Sequence, residues 1–184
     1  MASIRIVSTM KHLPCLAVVL MCLGCARAAS PHEHGVARLD IAVDAQRLTI
    51  SLETPLENLL GFERAPRTET ERKSVALLQE RLQATTKLLL IDPAAGCGKG
   101  QVELGSAALG WGQAKATGEK GNAHADLDAS FSFECTNANK ASFIDIALFE
   151  AFPKLMRLNV QLASAKGQSK TVLKRPAKRL TLPR

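Results

Sequence analysis

The residues best suited to chemistry sit together near the start of the chain, in Ser30-Pro31-His32-Glu33-His34-Gly35. Imidazole nitrogens and a carboxylate are suitable donors to a divalent ion such as zinc. Zinc usually takes four donors, and three adjacent residues rarely make a tight site alone. His124 and Asp126 are the best remaining partners. They lie two positions apart on a predicted strand, so both side chains leave the same face, and Asp128 continues the row. If the first strand pairs near that one, His34 approaches His124. The bland alternative is a hydrated sheet face with an unstructured histidine stub. Beyond residue 28 the only histidines are His32, His34 and His124, so a multi-histidine site has no other donors to draw on.

Other chemistry has little to work with. The chain has no tyrosine, no phosphate-binding glycine loop and no His-Glu-x-x-His helix. Gly96-Cys97-Gly98-Lys99-Gly100 lacks the spacing and strand–helix context of a nucleotide loop. Asp126 and Asp128 are paired carboxylates, but adjacent outward carboxylates are usually just solvated. A non-enzymatic protein is expected.

The leader sets the compartment in which such donors would act. Residues 1–28 carry Arg5 and Lys11, no acid, and the apolar run Leu16-Ala17-Val18-Val19-Leu20-Met21-Cys22-Leu23. That run is too short for a bilayer span, which needs about 20 residues. With Ala26-Arg27-Ala28 behind it, it reads as a signal peptide cleaved before Ala29. A lipid-anchored form would use Leu23-Gly24-Cys25, where Cys22 occupies a position that favours an aliphatic residue. Met10 is an alternative start. Export to the periplasm is the expectation, with residues 29–184 as a single domain.

Cleavage removes Arg5, Lys11 and Arg27 and lowers the formal charge from +7 to +4. The remainder is polarised: residues 29–150 hold 12 Lys/Arg against 17 Asp/Glu, whereas residues 151–184 hold nine Lys/Arg and no acid. The basic edge at 166–184 can meet anionic lipid headgroups, an acidic partner, or the acidic remainder of the same domain. Export argues against nucleic acid. Cys97 and Cys135 stay after cleavage and most simply form one disulfide. Free thiols, a metal thiolate pair and intermolecular bonding are the alternatives.

The elements that must position these groups follow from periodicity. Residues 36–43 and 47–53 alternate as two strands around a turn at Asp44-Ala45-Gln46. Residues 56–60 suggest a short helical turn. Thr68 and Glu71 have capping-box spacing, and Val75, Leu78, Leu82 and Leu89 give a helix over about 69–86 its apolar stripe. Residues 87–91 fit either more helix or a new strand. Residues 101–108 suggest a short strand and 110–122 a loop. The clearest strand is 124–135, with Ala125, Leu127, Ala129, Phe131, Phe133 and Cys135 on one face. Strands are also expected at 143–149, from Met156 through Leu162, at 169–174 and near 177–182. The sum is an α+β fold, mainly antiparallel sheet or sandwich with one principal amphipathic helix packed on it.

His32-Glu33-His34-Gly35-Val36-Ala37, residues 55–66 with Gly61-Phe62-Glu63, Cys97, the strand 124–135 and Phe149-Glu150-Ala151-Phe152-Pro153 occur in an order that resembles the zinc-regulated periplasmic proteins of the ZrgA type. The resemblance covers essentially the whole mature chain. It implies a periplasmic zinc-binding protein that assists uptake beside a zinc ABC importer and its solute-binding protein. Family members often carry a histidine- and acid-rich insert where this chain has residues 112–122, which contain no histidine. They also often have a histidine where this chain has Arg64, and arginine cannot donate a lone pair to zinc. His32, His34 and His124 remain, with Glu63 or Asp126 as carboxylate. At most one or two zinc ions are expected, held more weakly below about pH 6 as histidine protonates. A monomer is expected. The competing class is an envelope structural or adaptor protein without a specific metal site.

Overall fold

A computed structural model describes residues 33–112 and 125–183. In chain order the elements begin with β1 (Val36–Val43), β2 (Arg47–Pro55), α1 (Glu57–Leu60), α2 (Glu69–Gln83), α3 (Thr85–Leu88) and β3 (Leu89–Ile91). They continue with β4 (Gln101–Gly105), β5 (Asp126–Glu134), β6 (Phe143–Ile146), α4 (Leu148–Ala151), β7 (Arg157–Ser164), β8 (Gly167–Lys174) and β9 (Arg179–Thr181). The expected α+β class, mainly β-sheet with one long helix, is what forms.

Six strands make the main sheet, ordered β4-β5-β2-β1-β7-β8, and three make a small one, β3-β6-β9. Alternation sorts β1, β2, β5 and β7 into a buried and a more exposed face. Leu39, Ile41, Leu48, Ile50, Leu127, Phe131 and Phe133 point inward and are at most 2% exposed. They share one core with Leu82, Ile144, Leu148 and Phe152 from the elements that cover this face. Full burial of such a side chain stabilises by roughly 1.5–3 kcal/mol, so the alternation dictates which way each strand faces.

One pairing departs from the expected hairpins. β1 runs parallel to β7, with Val36 opposite Arg157 and Val43 opposite Ser164. No local pattern encodes a partner more than a hundred residues away. The pairing brings the start of β1 beside the start of β7, and both matter for the site below.

The helix begins where expected. Thr68 Oγ1 accepts from the Glu71 N–H at 3.1 Å, and the Glu71 carboxylate accepts from the Thr68 N–H at 3.2 Å. It is shorter than the expected 69–86 and less buried: only Leu78 and Leu82 are in the core, Leu77 is 52% exposed, and Leu89 belongs to β3. The ambiguous run 87–91 divides, completing α3 and then forming β3. The expected strand over 143–149 stops at Ile146, and α4 with its C-terminal capping residue Phe152 takes Leu148, Phe149 and Phe152 into the core at helical spacing. Met156 precedes β7 and is 54% exposed, not a core residue.

Cys97 and Cys135 form a disulfide, so neither is a free thiol or a metal thiolate. Cys135 falls on the buried parity of the strand, at 8% exposure. A sequence separation of 38 corresponds to about 4 kcal/mol on the chain-entropy model.

Candidate functional site

His34 sits in a tight turn that leads into β1. The Val36 N–H bonds to the Glu33 carbonyl at 3.1 Å, and Gly35 adopts φ +77°, a left-handed conformation suited to glycine. Both sides of Gly35 are tied down. Its carbonyl accepts from the N–H groups of Met156 (2.7 Å) and Arg157 (2.9 Å), and its own N–H donates to Asn58 Oδ1 at 2.6 Å. The Asn58 amide in turn donates to the Val36 carbonyl (2.9 Å) and to Thr54 Oγ1 (3.0 Å). Asn58 is 2% exposed, so α1 serves as a bracket that fixes the histidine turn to the end of β2.

α1 also delivers the second donor. It ends at Gly61, whose φ of +86° and N–H bond to the Glu57 carbonyl (3.0 Å) redirect the chain into Phe62 and Glu63. His34 Nε2 then stands 3.7 Å from Glu63 Oε1, with side-chain exposures of 73% and 37%. That is too long for a good hydrogen bond. Two donors bound at about 2.1 Å to one tetrahedral ion stand roughly 3.4 Å apart. The pair is therefore within a few tenths of an ångström of a shared-ion spacing, open to solvent on the histidine side.

The neighbouring charged groups have other duties. Glu33 is paired with Arg157 at 2.5 Å, which withdraws it from the donor set. Lys154 bonds Glu57 at 2.7 Å. The Arg64 guanidinium grips the Glu71 carboxylate at 2.7 and 3.0 Å and lies over the Phe62 ring, 5.1 Å from its centroid. Arg64, with the Arg67 N–H, holds the Glu71 carboxyl at about 2, against an ordinary value of 4.5. Position 64 thus anchors the start of α2.

The structure brings His34 and Glu63 together. Asp126 starts β5, half-buried and opposite Pro55. β1 does not pair with β5, because β2 lies between them. Two strand spacings amount to roughly 10 Å. His32 and His124 lie outside the described residues. Ala125, where the described chain resumes, accepts from the Leu56 N–H at 2.8 Å. No group of three or more His, Cys, Asp or Glu able to hold a metal occurs among the described residues. A concavity of about 480 Å³ lies elsewhere, on the outer sheet face over Ala42, Thr49, Ser51 and Ala163, and its lining includes no histidine.

Two residues matter to this arrangement that carry no signal in the sequence. Asn58 reads as an ordinary polar loop residue. Arg175 reads as part of a solvated basic edge, yet its guanidinium donates to the carbonyls of Phe149, Phe152, Pro153 and Leu155. It thereby fixes the segment that presents the Met156 and Arg157 N–H groups to Gly35. Other members of the basic edge pair at the surface with acids of the same domain, Arg179 with Asp145 (2.6 Å) and Lys178 with Glu150 (3.7 Å).

No helix among the described residues is long and apolar enough to cross a membrane. A family model described as ZrgA family zinc uptake protein matches residues 31–182. No curated protein matches the chain.

Proposed function

Since the chain belongs to the ZrgA family of zinc uptake proteins, we propose that it is an exported periplasmic zinc-binding accessory protein, working beside a zinc ABC importer and its solute-binding protein. In this reading residues 1–28 are a cleaved leader and the protein acts by binding, not by catalysis. The observation that carries it is the 3.7 Å separation of His34 Nε2 and Glu63 Oε1 on a turn braced by Asn58 and the Arg157 N–H. A preformed pair spares part of the ordering that a mobile histidine arm would undergo on binding. His32 and His124 are the further donors, and water fills any remaining position. Few protein donors and an exposed histidine suit exchange of zinc with another carrier better than storage.

The competing reading is an envelope structural or adaptor protein without a specific metal site. Isothermal titration of zinc into the tag-free processed protein, His34→Ala and Glu63→Gln separates the two. The zinc-handling reading expects one or two ions bound, and His34→Ala weaker by about tenfold or more. Equal affinity in all three proteins contradicts the pair, and no binding in any of them leaves the adaptor.

A further inference from the structure

β8 is the outer edge of the six-stranded sheet, and every residue of it except Leu173 is exposed. Its register and hydrogen bonds fix which backbone groups face outward. Arg175 N–H bonds to the Met156 carbonyl (3.1 Å), and Arg157 stands opposite Lys174. In an antiparallel pair the bonded positions alternate. Positions 169, 171 and 173 therefore turn toward β7, while Gln168, Lys170 and Val172 turn their N–H and C=O groups to solvent; Lys174 turns outward too, but its carbonyl already accepts from the Ala177 N–H at 2.8 Å. The same four side chains line the outer face. Val172, between the two lysines, is 53% exposed. Neither Lys170 nor Lys174 has an ion-pair partner among the described residues, unlike Lys178 and Arg179.

We propose that β8 is a docking edge for an extended acidic segment of a partner protein, which adds to the sheet as a seventh strand. Main-chain bonds to Gln168, Lys170 and Val172, with the Lys174 N–H beyond them, would supply the pairing. Lys170 and Lys174 would select carboxylates at the facing positions, since opposite charges across a strand pair attract and like charges repel. The segment from 151 to 184 contains no acid that could fill this role from within. The lysines also argue against a second copy as the occupant. Antiparallel pairing of two β8 strands about Val172 would set Lys170 against Lys174 of the other chain. A lipid surface would engage the two lysines alone and leave the outward N–H and C=O groups to water.

The probe is a fluorescein-labelled nine-residue peptide alternating Glu and Thr, read by anisotropy against the tag-free processed protein at low salt. Two variants separate backbone from charge. Val172→Pro removes one outward N–H but none of the bonds to β7, a substitution edge strands tolerate. Lys170→Glu/Lys174→Glu reverses the selecting charges. The expected results are saturable binding to wild type, a loss of about tenfold or more in each variant, melting temperatures close to wild type, and no binding of the matching Lys–Thr peptide. Undiminished binding by folded Val172→Pro overturns strand addition. No binding to wild type, equal binding of the Lys–Thr peptide, dimerisation through β8, or binding confined to anionic phosphatidylglycerol vesicles overturns the proposal as a whole.

Discussion

Replacing Asn58 with alanine should damage the protein well beyond what a polar residue in a four-residue helix suggests. The amide makes three hydrogen bonds, at 2.6, 2.9 and 3.0 Å, to Gly35, Val36 and Thr54. Each is worth roughly 0.5–1.5 kcal/mol net, with more lost where a partner stays buried and unpaired. Their sum is about 2–4 kcal/mol, offset by about 0.5 kcal/mol for the better helix propensity of alanine. The expected net loss of about 2–3 kcal/mol lowers the melting temperature by roughly 5–10 °C in a domain of this size. Differential scanning calorimetry reads it directly. Asn58→Asp keeps the acceptor for Gly35 but loses both donors and faces the Val36 carbonyl with an oxygen, so it should recover little. Zinc affinity should fall in both variants, since the turn carrying His34 loses its bracket. A melting temperature for Asn58→Ala within about 1 °C of wild type refutes the bracket, because even one lost buried bond exceeds that.

Removing the disulfide with a Cys97→Ala/Cys135→Ala pair should destabilise by about 4 kcal/mol, from the separation of 38 residues; chemical denaturation reads the shift in midpoint. Acid should destabilise the start of α2 in a defined window. Glu71 is held at about 2 in the fold by Arg64, against 4.5 for an unperturbed carboxyl, so its contribution is complete above about pH 4.5 and is lost as pH falls through about 2. Arg64→Ala should therefore be less stable than wild type at neutral pH, with the gap closing toward pH 2; a gap that stays constant contradicts the assignment. Asp92, bonded to Ser142 and Ala94, and Asp145, bonded to Arg179, are lowered too and steepen the same acid limb.

Much of the fold was legible because it rests on local periodicity. The alternation from Ala125 to Cys135 has a single solution, and Thr68 with Glu71 marks a helix start by side-chain geometry alone. Residues 143–149 misled because a short apolar run serves strand and helix equally, and Ala147–Phe152 spacing decides only once the core is known. The parallel β1–β7 pairing was invisible because strand partners at long range leave no mark in either segment. The site was legible in part. His34 is legible as a donor from its chemistry, and Glu63 from the family resemblance. Their juxtaposition is not, since it depends on a buried Asn58 and a left-handed Gly61 that look like any loop residues until the turn is folded.

The most direct measurement is a zinc titration of residues 29–184 followed by long-range ¹H–¹⁵N correlation of the histidine side chains. If the His34–Glu63 pair captures zinc, the His34 ring signals move or broaden first, at substoichiometric metal, and Glu63→Gln shifts the titration to higher zinc. If the His34 signals stay fixed while zinc binds elsewhere, or respond identically in Glu63→Gln, the pair at 3.7 Å is not the zinc site.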